Sequence, residues 1–348
     1  MNIGVNSTPF EITCHWIDVC LDRMRVLGYR DGKEISWVSM PGESVNARAN
    51  PGDIARISHE IGIRDGLIVK LHQATGDFCK TRSTADVKYV GMRQAMYALF
   101  AKEVWRDTHL WLFRFGLSFT VFHEVGHLNQ QHGLFRRKLG LRAGNHSLDV
   151  DAHVEYADGD AELTGEEALL AQTLERCADF EGVKRTMDVI RAMSSTPDGK
   201  PQDREQTTRM VWLAQVGMCI FCYLLHEERG SRQLYPLLGG HPRPSARMLE
   251  IVRDTHQYIL RYPDFFPLSE DPDACLDFLE EAVITASQFW HSRSSSPEIP
   301  TVHAEMQDSA DYLRWRESIR TKWNEIVPVL NAQRICKGAE LPELPSAA

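Results

Sequence analysis

Between residues 109 and 131, apolar side chains fall on nearly every side of a helix: Leu110, Trp111, Leu112, Phe113, Phe115, Leu117, Phe119, Val121, Phe122, Val125 and Leu128. A helix that is apolar all round belongs inside a core. One narrow stripe is small or polar, formed by Gly116, Thr120, His123, Glu124 and His127. Its members recur at steps of three and four, so they share a face. Similar periodicity predicts further helices over 92–105, 166–193, 210–228, 245–261, 272–291 and 303–330.

The first 90 residues read differently. Alternation over 34–40 puts Ile35 and Trp37 on one side of a half-buried strand, which Pro41-Gly42 closes. Asn50-Pro51-Gly52-Asp53 marks a turn. Asp65-Gly66 marks another, and the apolar run 67–71 after it reads as a short buried strand. Segment 140–165 is dense in glycine and acid and reads as a long loop between two helices, of the kind that forms lids or cleft walls. These patterns predict an α+β fold, a small N-terminal sheet packed on a predominantly helical body. The expected organisation is a single domain over 1–335, with a mixed part at 1–90, a core at 91–250 and a helical part at 251–335. The tail, 336–348, is expected to be flexible.

Hydrophobic residues make up 43% of the 348 and charged residues 25%, an ordinary globular balance. The net charge of -9 disfavours nucleic acid as a partner. Arg136, Arg137, Lys138 and Arg142 cluster locally but suit a solvated helix end. The eight cysteines lack framework spacing, which fits a reducing compartment. Cys219 and Cys222 form a C-x-x-C inside an apolar run and read as buried thiols. No basic stretch followed by an apolar core opens the chain. The most membrane-like stretch, 211–225, falls short of the roughly 20 apolar residues a span needs. A soluble cytoplasmic protein is expected.

The polar stripe of the apolar helix contains His123-Glu124-Val125-Gly126-His127, an HExxH motif. Chance places such a motif in roughly 4% of shuffled chains of this composition, so its context must carry the reading. Residues i and i+4 stand about one turn apart on one face, and two imidazoles there can reach one ion at ~2.0–2.1 Å. Glu124 points into the same cleft and can handle the proton of a metal-activated water. Gly126 lets another backbone come close, and a substrate-aligning edge strand is the expectation. Burying two imidazoles and a carboxylate without partners would cost several kcal/mol, which disfavours a purely structural helix.

A catalytic zinc takes three protein ligands and keeps one position open. His132 fails the metzincin spacing: position ten after His123 is Gly133, and Gln130 stands where that pattern needs glycine. Asp149 and Asp151 could serve if their loop folds back. Glu175 is the preferred third ligand. It lies at i with Asp179 at i+4 on one helix, so Glu175 can ligate while Asp179 accepts the other N–H of a ligating histidine. Ala178 is small enough to let this helix approach the motif.

HExxH followed by a helix with E-x-x-A-D resembles the gluzincin metallopeptidases. His241-Pro242-Arg243-Pro244-Ser245-Ala246-Arg247 looks like the H-P-x4-R element of peptidases of the M48 type, whose histidine and arginine line the active site. The resemblance implies that His241 or Arg247 stabilises the oxyanion of the tetrahedral intermediate; Tyr235 is a further donor candidate. The chain departs from the membrane-bound M48 pattern in lacking transmembrane helices. Asn46-Ala47-Arg48-Ala49, with the turn and the 67–71 segment, resembles soluble bacterial gluzincins of the Lit-like, phage-exclusion type. The likeness covers 46–71 and 110–250. It implies a zinc-dependent endopeptidase with one Zn2+ per chain on His123, His127 and Glu175, with Glu124 as general base. An intracellular protein or peptide is the expected substrate, but the targets of the Lit-like group do not carry over from these motifs. The rival readings are a non-catalytic zinc-stabilised interaction or regulatory protein of a stress or phage-defence system, and a hydrolase of a non-peptide amide.

Overall fold

A computed structural model describes residues 8–26, 34–50, 58–83, 105–139, 163–196, 199–201, 203–229, 241–293, 309–336 and 340–344. The fold is α+β, mostly helical with one small sheet.

Helix α1, Pro9–Val26, buries Ile12, Trp16, Ile17, Cys20, Leu21 and Met24 along one stripe. It opens with a capping box: the Thr8 N–H donates to Glu11 Oε2 at 2.7 Å and the Glu11 N–H to Thr8 Oγ1 at 3.3 Å. Strands β1 (Glu34–Met40), β2 (Ala47–Asn50) and β3 (Ser58–Arg64) form a sheet of order β1-β3-β2. Strand β3 runs parallel to β1 and antiparallel to β2. Ile35, Ala47, Ala49, Ile61 and Ile63 are buried, and β2 and β3 lie against the motif helix.

The segment expected as a strand over 67–71 is helical. It starts α2, Asp65–Ser83. The buried positions Leu67, Ile68, Leu71, Ala74, Thr75 and Phe78 follow a 3.6-residue period that only the longer window reveals. Asp65 and Gly66 are the first residues of this helix, not a turn before a strand, and an acid in the first turn favours the helix dipole.

The motif helix is α3, Trp105–Asn129, followed by the short α4, His132–Lys138. Then come α5 (Gly165–Met193), α6 (Arg204–Arg229), α7 (Pro244–Arg261), α8 (Pro272–Arg293) and α9 (Ala310–Gln333). The predicted helix over 92–105 lies almost wholly outside the described residues. So do most of the predicted loop, with Asp149 and Asp151, as well as Arg142 and Tyr235.

Helix α3 is the centre of an apolar cluster that runs from Ile12 to Cys336. It crosses α6 closely: a Cβ on Gly217 would stand 2.7 Å from the Leu112 carbonyl oxygen. Within α6, 204–225 is long and apolar enough to span a membrane, yet 89% of its 18-residue apolar window is buried inside the protein. Cys219 and Cys222 are buried free thiols, and all eight cysteines are free.

The tail does not fray throughout, contrary to the expectation for 336–348. Cys336 and Leu341 are buried. Asn331 exchanges two hydrogen bonds with the backbone of Leu341, and Asn324, one heptad earlier, does the same with Leu344. Two amides on one face of α9 thus hold residues 341–344 as a partner strand would.

Candidate metal centre

Helices α3 and α5 lie backbone to backbone at Gly126. A Cβ there would stand 2.9 Å from the Ala178 Cα and 3.2 Å from the Ala178 carbonyl oxygen. The close neighbour of this glycine is therefore α5, not the expected edge strand. The contact brings His123, Glu124 and His127 on α3 to Glu175 and Asp179 on α5, all between 0% and 3% exposed.

Three donors converge. His123 Nε2 is 3.1 Å from His127 Nε2 and 3.3 Å from Glu175 Oε2, and His127 Nε2 is 3.5 Å from Glu175 Oε1. A tetrahedral ion bound at ~2.0–2.2 Å needs its N and O donors about 3.3 Å apart. The separations lie close to that value, the two from Glu175 being to different oxygens of its carboxylate, so the buried His-His-Glu group can hold a metal ion. The other ring nitrogens are taken. His123 Nδ1 donates to Asp179 Oδ1 at 2.9 Å, and His127 Nδ1 lies 2.7 Å from Nδ1 of His132.

The electrostatics ask for a cation. Burial opposes charging His123, but Asp179 and Glu175 outweigh it and push the imidazole pKa up to about 10. Either a proton or a metal ion can supply that charge. Burial also works against the Asp179 carboxylate, and the Arg247 guanidinium with His123 still holds its pKa below the usual range.

Arg247 is not where an oxyanion donor belongs. It enters from α7, which starts on Pro244, a residue suited to a first helical turn. Its Nε and Nη2 donate to Asp179 at 2.7 and 2.6 Å. Its Nη2 lies 3.3 Å from His123 Nδ1, the nitrogen turned away from the three donors. Arg247 therefore acts behind the histidine, holding the carboxylate that orients it. His241 lies on the metal side, its Nδ1 3.1 Å from Glu175 Oε2, and its side chain is 11% exposed, more than His123, His127 or Glu175.

No protein-family model, curated protein or solved structure matches the chain. The functional reading therefore rests on the geometry of this centre. The residues expected to bind metal, His123, His127 and Glu175, are together, with Asp179 behind the first histidine as expected. Sequence reasoning missed what holds the second histidine. It weighed His132 only as a ligand, and Gln130 only as a missing glycine.

Proposed function

We propose that the chain is a zinc-dependent endopeptidase of gluzincin character that cleaves an intracellular protein or peptide. The observation that carries this reading is the set of donor separations, 3.1, 3.3 and 3.5 Å, among His123, His127 and Glu175. Two imidazoles and one carboxylate are the ligand set of catalytic zinc in several metallopeptidases. Among the described residues no fourth His, Cys, Asp or Glu joins the group, which fits an open position better than a closed structural site.

Bound there, zinc would supply Lewis acidity towards a water and a substrate carbonyl. The chain's own groups do the rest. Glu124, one residue after His123 and 1% exposed, takes the proton of the attacking water and returns it to the leaving amine. Asp179 keeps His123 in one tautomer, with Arg247 fixing Asp179. His241 is the donor offered to the developing oxyanion. The HExxH, E-x-x-A-D and H-P-x4-R patterns support the same reading by resemblance.

The burial of all three ligands favours a second reading, in which zinc stabilises an interaction or regulatory protein. Glu124 separates the two, because a structural site needs no base. Glu124→Gln should leave about one zinc per chain by elemental analysis while abolishing cleavage of a substrate found by comparing proteomes with and without the active chain. Full cleavage by that variant would sink the mechanism. Absence of zinc in the parent chain after reconstitution would remove both readings.

A further inference from the structure

Asp179 accounts for His123 but not for His127, whose Nδ1 meets another imidazole. Two neutral imidazoles can share a nitrogen–nitrogen hydrogen bond only if one ring donates and the other accepts. Which ring donates is decided two residues away. The Gln130 side-chain amide donates from Nε2 to the Cys177 carbonyl oxygen at 3.0 Å. Turning that amide over would set two oxygens face to face, so Gln130 Oε1 must point the other way. It lies 2.7 Å from His132 Nε2 and can only accept, so His132 carries its proton on Nε2. In the neutral ring Nδ1 is then the acceptor. His127 must donate from Nδ1 across the 2.7 Å contact, which leaves its Nε2 lone pair facing His123 Nε2 and Glu175.

We infer that His132 is the positioning residue of the second metal ligand, fixing the His127 tautomer and aim through a relay anchored by Gln130 on the Cys177 carbonyl. This inference rests on the metal reading given above. Both histidines are then referenced to one helix: His123 through Asp179 and His127 through Cys177, all on α5 beside Glu175.

The chain is bent to make the relay. Gln131 has φ of 53°, a left-handed conformation that a non-glycine residue adopts only when its surroundings enforce it. That bend ends α3 and starts α4 so that His132, five residues on, returns to His127. Gln333 at the end of α9 holds the bend. Its side-chain amide donates to the Gln130 carbonyl at 2.7 Å and to the Gln131 carbonyl at 3.3 Å, and its own carbonyl accepts from the Gln131 side chain. His132, Gln130, His127 and Cys177 are between 0% and 2% exposed, so the relay is shielded from bulk solvent.

The test uses the full chain and zinc alone, with affinity read by competition against a chromogenic chelator. His132→Leu keeps the bulk and removes the acceptor, and should bind zinc 10–100-fold more weakly, the usual effect of removing the partner that orients a ligating histidine. His132→Asn sets an amide oxygen near the place of Nδ1 and should recover most of that loss, which a purely space-filling role would not allow. Equal affinity in the parent and His132→Leu overturns the inference. A long-range proton–nitrogen spectrum of the metal-free parent above neutral pH needs no variant. His127 protonated on Nδ1 and His132 on Nε2 support the relay, and His127 protonated on Nε2 overturns it. A parent that binds no zinc removes the peptidase reading, and the spectrum still decides the relay.

Discussion

Asp179 and Arg247 are 1% and 4% exposed and hold each other by two hydrogen bonds. Removing Arg247 leaves the buried Asp179 carboxylate with His123 as its remaining hydrogen-bond partner, and breaking a buried pair of this kind costs up to about 3–5 kcal/mol. Arg247→Met should lose stability of that order in urea unfolding of the metal-free protein. Adding Asp179→Leu should recover much of it, because no lone charge remains, while zinc affinity stays low because His123 has lost its acceptor. A stable Arg247→Met protein would show that the pair is incidental. His123, Glu124 and His127 were legible because helical spacing fixes which side chains share a face, and Glu175 with Asp179 for the same reason. Arg247 was legible as a site residue only by pattern, and its direction was not. It meets Asp179 across 68 positions, and nothing local to either segment says which nitrogen of His123 it will stand behind. His132 was set aside because it fails a ligand spacing, although its five-residue offset from His127 becomes a contact once Gln131 turns left-handed.

Between elements, the decisive contact is α3 against α5 at Gly126. Gly126→Ala puts a Cβ 2.9 Å from a backbone atom of Ala178, which no rotamer change can relieve. The two helices must shift, and overpacking of this kind costs about 1–3 kcal/mol. The same shift widens the gap between Glu175 and the two histidines. A lower denaturation midpoint together with weaker zinc binding is therefore expected for this variant. An unchanged zinc affinity would mean that donor spacing does not depend on this helix contact. The long helices were readable because their periodicity runs for many turns; α5, α7 and α8 fall within two residues of the predicted bounds, whereas α6 begins six residues earlier and α9 seven residues later than predicted. The N-terminal elements were harder for a physical reason. Four apolar residues and Lys70 at 67–71 carry too short a period of their own, and only the buried positions out to Phe78 distinguish helix from strand. Helix α1 carries a capping box, Thr8 to Glu11, and a clear apolar stripe, so its signal is present in the sequence. Strands β2 and β3 are only four and seven residues long, and their pairing is tertiary.

At the scale of the whole chain, the C-terminal segment closes onto the motif helix through Glu181. Ile335 and Cys336 donate from their backbones to Asn129, at 2.9 and 2.7 Å. The Asn129 side chain donates to Glu181 at 3.3 Å, and Glu181 also accepts from Arg185 at 2.9 Å and Arg334 at 2.5 Å. Burial opposes the charge on Glu181, but the two guanidiniums prevail and hold its pKa down to about 2 against an ordinary value of 4.5. A carboxyl with a depressed pKa in the folded state contributes stability that is complete above 4.5 and lost as pH falls through about 2. The contribution is roughly 3 kcal/mol, at about 1.4 kcal/mol per unit. Between pH 4.5 and 2 the unfolding free energy of the parent should therefore drop by about that much more than that of Glu181→Gln, which has no proton to take up at this position. Glu181→Gln should start lower at neutral pH, because Arg334 and Arg185 then lose a counter-charge. The amides of Ile335 and Cys336 report the event directly: their hydrogen-exchange protection should fall over the same interval in the parent. Parallel stability curves for the two proteins would place the acid lability elsewhere, for instance at Asp179 or Glu250, further buried carboxyls held low among the described residues. A matching difference, with protection lost first at 335–336, would establish that α9 is clamped to the motif helix by a buried charge. Because Gln333 and Arg334 are neighbours on that segment, acid release of the clamp should also loosen the bend at Gln131 that brings His132 to His127.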